Sequence, residues 1–137
     1  MKRNMFGAVT ALVLALLVNV GFAQSRTKAD VPFAFNVAQS SMSEGSYSIS
    51  AVADRVMVVR NESTNAAVMV ITQREESSKP QNPRLVFHKY GDSYFLAEAW
   101  SGSGEAGMEF PESKLERELR ASSANASGPE EVVIALR

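Results

Sequence analysis

The sequence predicts a mainly β protein: a small antiparallel β-barrel or sandwich of about seven strands, with one short helix in its C-terminal region. Three observations carry that prediction. Apolar residues recur at every second position through several short runs, which is the period of a strand with one buried face. Polar clusters rich in Gly, Asn, Ser and Pro separate the runs, and these residues favour turns. A helix start signal, Ser113-Lys114-Leu115-Glu116, lies near the end of the chain.

The first strand is expected at Val31 to Ala38, where Val31, Phe33, Phe35 and Val37 alternate with Pro32, Ala34, Asn36 and Ala38. Pro32 lacks an N–H, so it belongs at an edge or a strand start. Gln39 to Ser46 reads as a turn, after which Tyr47, Ile49 and Ala51 resume the alternation. Val56 to Arg60 and Ala66 to Thr72 form the next pair, joined by Asn61-Glu62-Ser63-Thr64-Asn65, whose side chains hydrogen-bond to nearby backbone. The charges, serines and two prolines of Arg74 to Pro83 mark a surface loop.

The hairpin Arg84 to Trp100 is the clearest element, because Gly91-Asp92 supplies a two-residue turn in which glycine accepts positive φ. In that register Tyr90 faces Ser93, His88 faces Phe95 and Leu85 faces Glu98, which gives a core face of Leu85, Phe87, Tyr94, Leu96 and Trp100. Ser101 to Phe110 reads as a glycine-rich loop. The capping box at Ser113 starts a helix running to about Ala121, with Leu115 and Leu119 on one face and charge pairs Lys114–Glu118 and Glu116–Arg120. Two leucines make a narrow stripe, suited to covering a sheet edge or a barrel mouth. Val132 to Leu136 is the expected last strand, placed to pair with the first and remove an exposed edge.

Domain organisation follows from the amino terminus. Lys2 and Arg3 precede an apolar stretch from Met5 to Phe22, and Gly21-Phe22-Ala23 supplies small residues two apart, the order of a secretory signal. Residues 1–23 are therefore expected to be a signal peptide and 24–137 a single β domain; an uncleaved membrane anchor is the other reading of the same stretch. Without the leader the formal charge moves from −1 to −3. A mildly acidic chain with no basic stripe lacks the footprint for phosphate backbones, which argues against nucleic acid as a partner. There is no cysteine, so neither a disulfide nor a lipobox thiol is available.

The chemical motifs are sparse. Gly102-Ser103-Gly104-Glu105-Ala106-Gly107 matches GxGxxG, but Phe110-Pro111 intervenes before a helix can start, and no βαβ unit surrounds it. His88, the only histidine, would have to centre any triad, and no serine sits in a nucleophile elbow. Glu98 with Glu105 is a candidate glycosidase pair among twelve glutamates. Zinc is disfavoured by one histidine and no cysteine, and calcium at Glu75-Glu76 or Glu130-Glu131 lacks the loop spacing of an EF-hand. Asn61-Glu62-Ser63 and Asn125-Ala126-Ser127 are formal glycosylation acceptors. The aromatic residues Phe33, Phe35, Tyr47, Phe87, Tyr94, Phe95 and Trp100 either fill the core or line one small-ligand site.

At Val31-Pro32-Phe33-Ala34-Phe35-Asn36-Val37, Glu44-Gly45-Ser46-Tyr47 and Leu85 through Leu96, with Trp100 and the segment from Ser113 to Leu119, the chain resembles a group of small exported proteins of acidobacteria and similar bacteria. The resemblance covers most of the region after the leader and implies export, with no catalytic residues to carry across. The expectation is an exported, periplasmic or extracellular, non-enzymatic binding or structural module without a cofactor. Its partner would be a small ligand or an envelope component, with Tyr94, Trp100 and His88 as the candidate ligand-binding residues. The alternatives are a small hydrolase of cell-wall or polysaccharide material, and a subunit that pairs an open strand edge with a partner.

Overall fold

The structure, a computed structural model, describes residues 26–77, 82–101, 106–123 and 128–137. The expected leader, residues 102–105 of the glycine-rich segment and the Asn125-Ala126-Ser127 acceptor lie outside the described residues. In chain order the elements are β1 (Arg26–Val31), β2 (Phe35–Val37), β3 (Ser40–Met42), β4 (Gly45–Ala53), β5 (Val56–Asn61), β6 (Ala67–Ile71), β7 (Gln73–Glu76), β8 (Arg84–Tyr90), β9 (Ser93–Trp100), β10 (Ala106–Glu109), α1 (Lys114–Ser122) and β11 (Glu130–Ala135). The protein is mainly β, with eleven short strands among the described residues where about seven were expected.

The strands form two sheets around one core. One has the order β1-β4-β5-β6, and the other β11-β8-β9-β10-β7, with the small β2-β3 hairpin joined to β9 by a parallel contact between Asn36 and Phe95. The chain crosses between the sheets at Thr72, which is buried; its N–H (2.7 Å) and hydroxyl (3.1 Å) both donate to the Arg55 carbonyl. At the opposite side Lys28 and Arg137 exchange backbone hydrogen bonds of 3.2 and 2.8 Å, so the C-terminal end does meet the first strand while β11 itself pairs with β8. Linked at both sides, the sheets make a small curled half-barrel.

Inward-facing Ala29, Ile49 and Val59 of the first sheet meet Leu85, Phe87 and Leu96 of the second. Phe35 stands edge-to-face against both Tyr47 (5.0 Å) and Phe87 (5.3 Å), a favoured geometry because the positive ring edge meets the negative face. Burial of such side chains removes apolar area from water, at about 1.5–3 kcal/mol for each large one. The Tyr47 hydroxyl donates to the Ser43 carbonyl and accepts from Asn61 Nδ2 at 3.1 Å. Asn61 Oδ1 then accepts the N–H groups of Ser63 and Thr64, which shapes the β5-β6 turn. Buried and fully engaged, the Asn61 side chain is a structural pin and has no room for a glycan.

Several expected boundaries change. The single strand at Val31 to Ala38 is broken at 32–34, because Pro32 cannot continue the ladder; Phe33 in the break stacks on Tyr94 at 3.8 Å. The expected turn from Gln39 to Ser46 contains β3. The loop expected from Arg74 begins as β7, and the glycine-rich loop ends as β10; these two charged or glycine-containing strands pair with each other. Tyr90 faces Ser93 and His88 faces Phe95 as expected, but a bulge between Val86 and Phe87 moves Leu85 opposite Ala99. One extra residue inverts the alternation, so Ala99 takes the inner face and Trp100 the outer one, opposite Arg84.

The helix starts where expected, with Glu116 N–H donating to Ser113 Oγ at 3.1 Å. The reciprocal half of the capping box is replaced, since the Glu116 carboxylate reaches outward to His88 and Tyr90. Arg120 accordingly pairs with Glu112 at 2.7 Å instead of Glu116, while Lys114 and Glu118 approach to 4.0 Å. Leu115 is exposed and Glu116 is buried, so α1 is fastened over the outer face of β8 by a carboxylate, not laid by a leucine stripe over an edge or mouth.

Candidate functional site

The three candidate ligand-binding residues fall in three separate places. Tyr94 faces inward at the end of β9, stacked on Phe33, with the Lys89 ammonium 5.5 Å from its ring centroid. His88 lies on the outer face of β8 beneath α1. Trp100 lies on the outer face of β9, where its Nε1–H donates to Glu98 Oε2 at 2.8 Å and the Arg84 guanidinium stands 5.6 Å from its ring. Its indole rests on the Cα of Gly107, the cross-strand partner in β10. That placement also answers the GxGxxG match: its third glycine lies in a strand, not at the helix N-terminus that would hold a pyrophosphate.

His88 Nδ1 is 3.0 Å from Glu116 Oε1, and the Tyr90 hydroxyl donates to the same oxygen at 3.4 Å. The Glu116 side chain is 7% exposed, so this contact operates with little water around the carboxylate. The hydrogen bond that His88 donates to Glu116 holds the His88 pKa above its usual 6.5, against the opposing effect of burial; the charges of Glu116, Glu131 and Glu98 add to the rise. Burial, then the nearby Glu116 and Glu112 charges, raise Tyr90. A cavity of about 60 Å³ beside the pair is lined by His88, Ala97, Glu98, Glu109, Phe110, Glu112 and Glu116. His88 and the Tyr90 hydroxyl thus converge on one buried carboxylate oxygen, an arrangement able to bind a proton and to hold the helix.

A consequence for stability follows from the direction of the shift. A group whose folded pKa is raised stabilises the fold fully below its unfolded value and loses that contribution as pH climbs through the folded one. Stability is therefore expected to fall as pH rises from about 6.5 through the raised His88 pKa. His88→Gln is expected to remove this component; thermal melts followed by the fluorescence of Trp100, the only tryptophan, would show it as a flatter Tm profile above pH 6. An identical slope in parent and variant would refute the assignment.

The second location is larger. A cleft of about 300 Å³ opens between the two sheets, with Ile49, Ala51 and Met57 on one side and Ala99, Met108 and Trp100 on the other. Leu136 and Thr27 close its flank, where the C-terminal end meets β1. Arg74 is the single charged residue of the lining. It projects to this side because it pairs directly with Met108, which packs against the core, and direct cross-strand partners share a face. Of the three candidates only Trp100 borders the cleft. Sequence reasoning missed Arg74, Met57 and Met108; the signal was the continued period of two through Val68, Val70, Thr72 and Arg74, which runs across the change of sheet.

Elsewhere on the outer face, Glu98 pairs across strands with Glu109, not with Glu105, which lies outside the described residues. Burial and the charges of Glu98 and Glu109 raise the Glu75 pKa. Among the described residues no group of three His, Cys, Asp or Glu side chains has an arrangement able to hold a metal ion, and no helix is long and apolar enough to cross a membrane. Comparison with family models, curated proteins and solved structures finds no match to this chain, so the reading of the site rests on its geometry.

Proposed function

We propose that the chain is an exported, non-enzymatic module that binds a small apolar ligand in the cleft between its two sheets. The observation that carries this reading is the cleft itself. Its volume of about 300 Å³ reaches the lower end of ligand pockets, and its walls are apolar side chains held by two hydrogen-bonded sheets. The aromatic interior, by contrast, is filled by its own rings. The leader-like segment at residues 1–23 supports a location in the periplasm or outside the cell.

Native mass spectrometry of the protein from its own host tests both parts. The expected result is a chain starting at Gln24 that carries a retained small molecule, and titration with the neutral probe N-phenyl-1-naphthylamine should show saturable binding with energy transfer from Trp100. Ala51 is exposed at the cleft, so Ala51→Phe fills it without disturbing the core and is expected to abolish probe binding at unchanged Tm. His88→Gln should keep binding, whereas a hydrolase centred on that residue would lose turnover. Equal probe binding by parent and Ala51→Phe would overturn the reading.

A further inference from the structure

We infer that the cleft selects an amphipathic monoanion, a short unbranched acyl chain ending in a free carboxylate, with Arg74 as the group that holds the carboxylate. This rests on the cleft being the ligand site and adds the class of ligand. The argument is charge complementarity. Arg74 is the one charged residue among those lining an otherwise apolar cleft, and the register with Met108 directs it to that side of the sheet. Its ion pair with Glu76 spans 4.0 Å, beyond hydrogen-bond distance, between side chains 61% and 81% exposed; such a pair holds a guanidinium weakly. The planar fork is thus available for the two-point contact that a carboxylate offers.

The rest of the lining fits the other end of such a molecule. Met57 and Met108 flank the cleft from opposite sheets, and unbranched thioether chains adapt to a flexible alkyl guest better than β-branched walls do. The charges of Glu98 and Glu109 act on Glu75 at the outer face of the second sheet, away from the inward side that Arg74 shares with Met108. A carboxylate ligand is therefore repelled from that face, and the cleft offers it a cation beside an apolar wall.

The test compares octanoate with 1-octanol, which share the chain and differ in the charged end, by isothermal titration of the folded protein. The parent is expected to bind octanoate about tenfold more tightly than 1-octanol, the scale of one charge-assisted contact. Arg74→Gln should reduce octanoate to the affinity of 1-octanol and leave 1-octanol unchanged; Arg74→Lys should restore part of the preference. Arg74 is exposed on an edge strand, so both variants are expected to melt with the parent. Equal affinities in the parent would overturn the carboxylate assignment and leave the cleft as a site for neutral ligands. A preference that survives Arg74→Gln would also overturn it. Failure of both compounds and of the naphthylamine probe would overturn the cleft itself.

Discussion

Replacing Phe87 with alanine is expected to cost about 3–5 kcal/mol, the range for deleting a fully buried aromatic ring. Phe87 is 0% exposed and stands at the centre of the interior. Its ring meets Phe33 edge-to-face at 5.1 Å and Phe35 at 5.3 Å, and its neighbours across the strands are Leu96 on β9 and Val132 on β11. Alanine removes the transfer free energy of the ring and leaves a void, since partners held in two hydrogen-bonded sheets collapse only in part. Within that total, each lost edge-to-face contact accounts for about 0.5–1.5 kcal/mol. Small domains have about 5–15 kcal/mol in all, so the variant should unfold at far lower urea with an unchanged slope. Phe87→Leu, which keeps most of the volume, should lose much less. A loss below about 1 kcal/mol for Phe87→Ala would mean that the interior is not packed around this ring.

The elements that read directly from the sequence are those whose signals are local. Gly91-Asp92 between two alternating runs specifies the β8-β9 hairpin because the turn needs positive φ at glycine, and Gly91 has φ of 57°. Ser113 announces the helix through a hydrogen bond within four residues. What could not be read depends on distant partners. Glu116 suits a capping box equally well until His88, 28 residues away, is placed beside it. The bulge in β9 leaves no mark, since Ala97 and Glu98 fit either register, yet it decides which side Trp100 occupies. β7 was hidden by its charges: an edge strand carries polar residues because an apolar one would invite pairing with other chains. The cleft was least legible of all. Its walls come from β1, β4, β5, β7, β9, β10 and Leu136, and no stretch of the chain carries more than a few of these residues.

Gly107→Ala is expected to destabilise the protein by about 2–3 kcal/mol, near the upper end of overpacking costs. Ordinarily alanine for glycine in a strand gains about 0.4–1 kcal/mol, because the unfolded chain loses freedom while the fold tolerates the methyl group. At this position the added Cβ would stand 2.7 Å from Cδ2 and Cε3 of Trp100 and 2.9 Å from Cε2, distances that carbon atoms do not sustain. Relief requires β10 to move off β9 or the indole to swing outward. The second route breaks the Nε1–H bond to Glu98, removes the ring from Arg84 and exposes it to water. Fluorescence should then shift to the red together with the loss of stability. In a Trp100→Ala background the clash has no partner, so Gly107→Ala should cost nothing or stabilise, and the difference between the two backgrounds measures the contact. An unshifted emission spectrum with full stability would mean that the indole does not rest on β10.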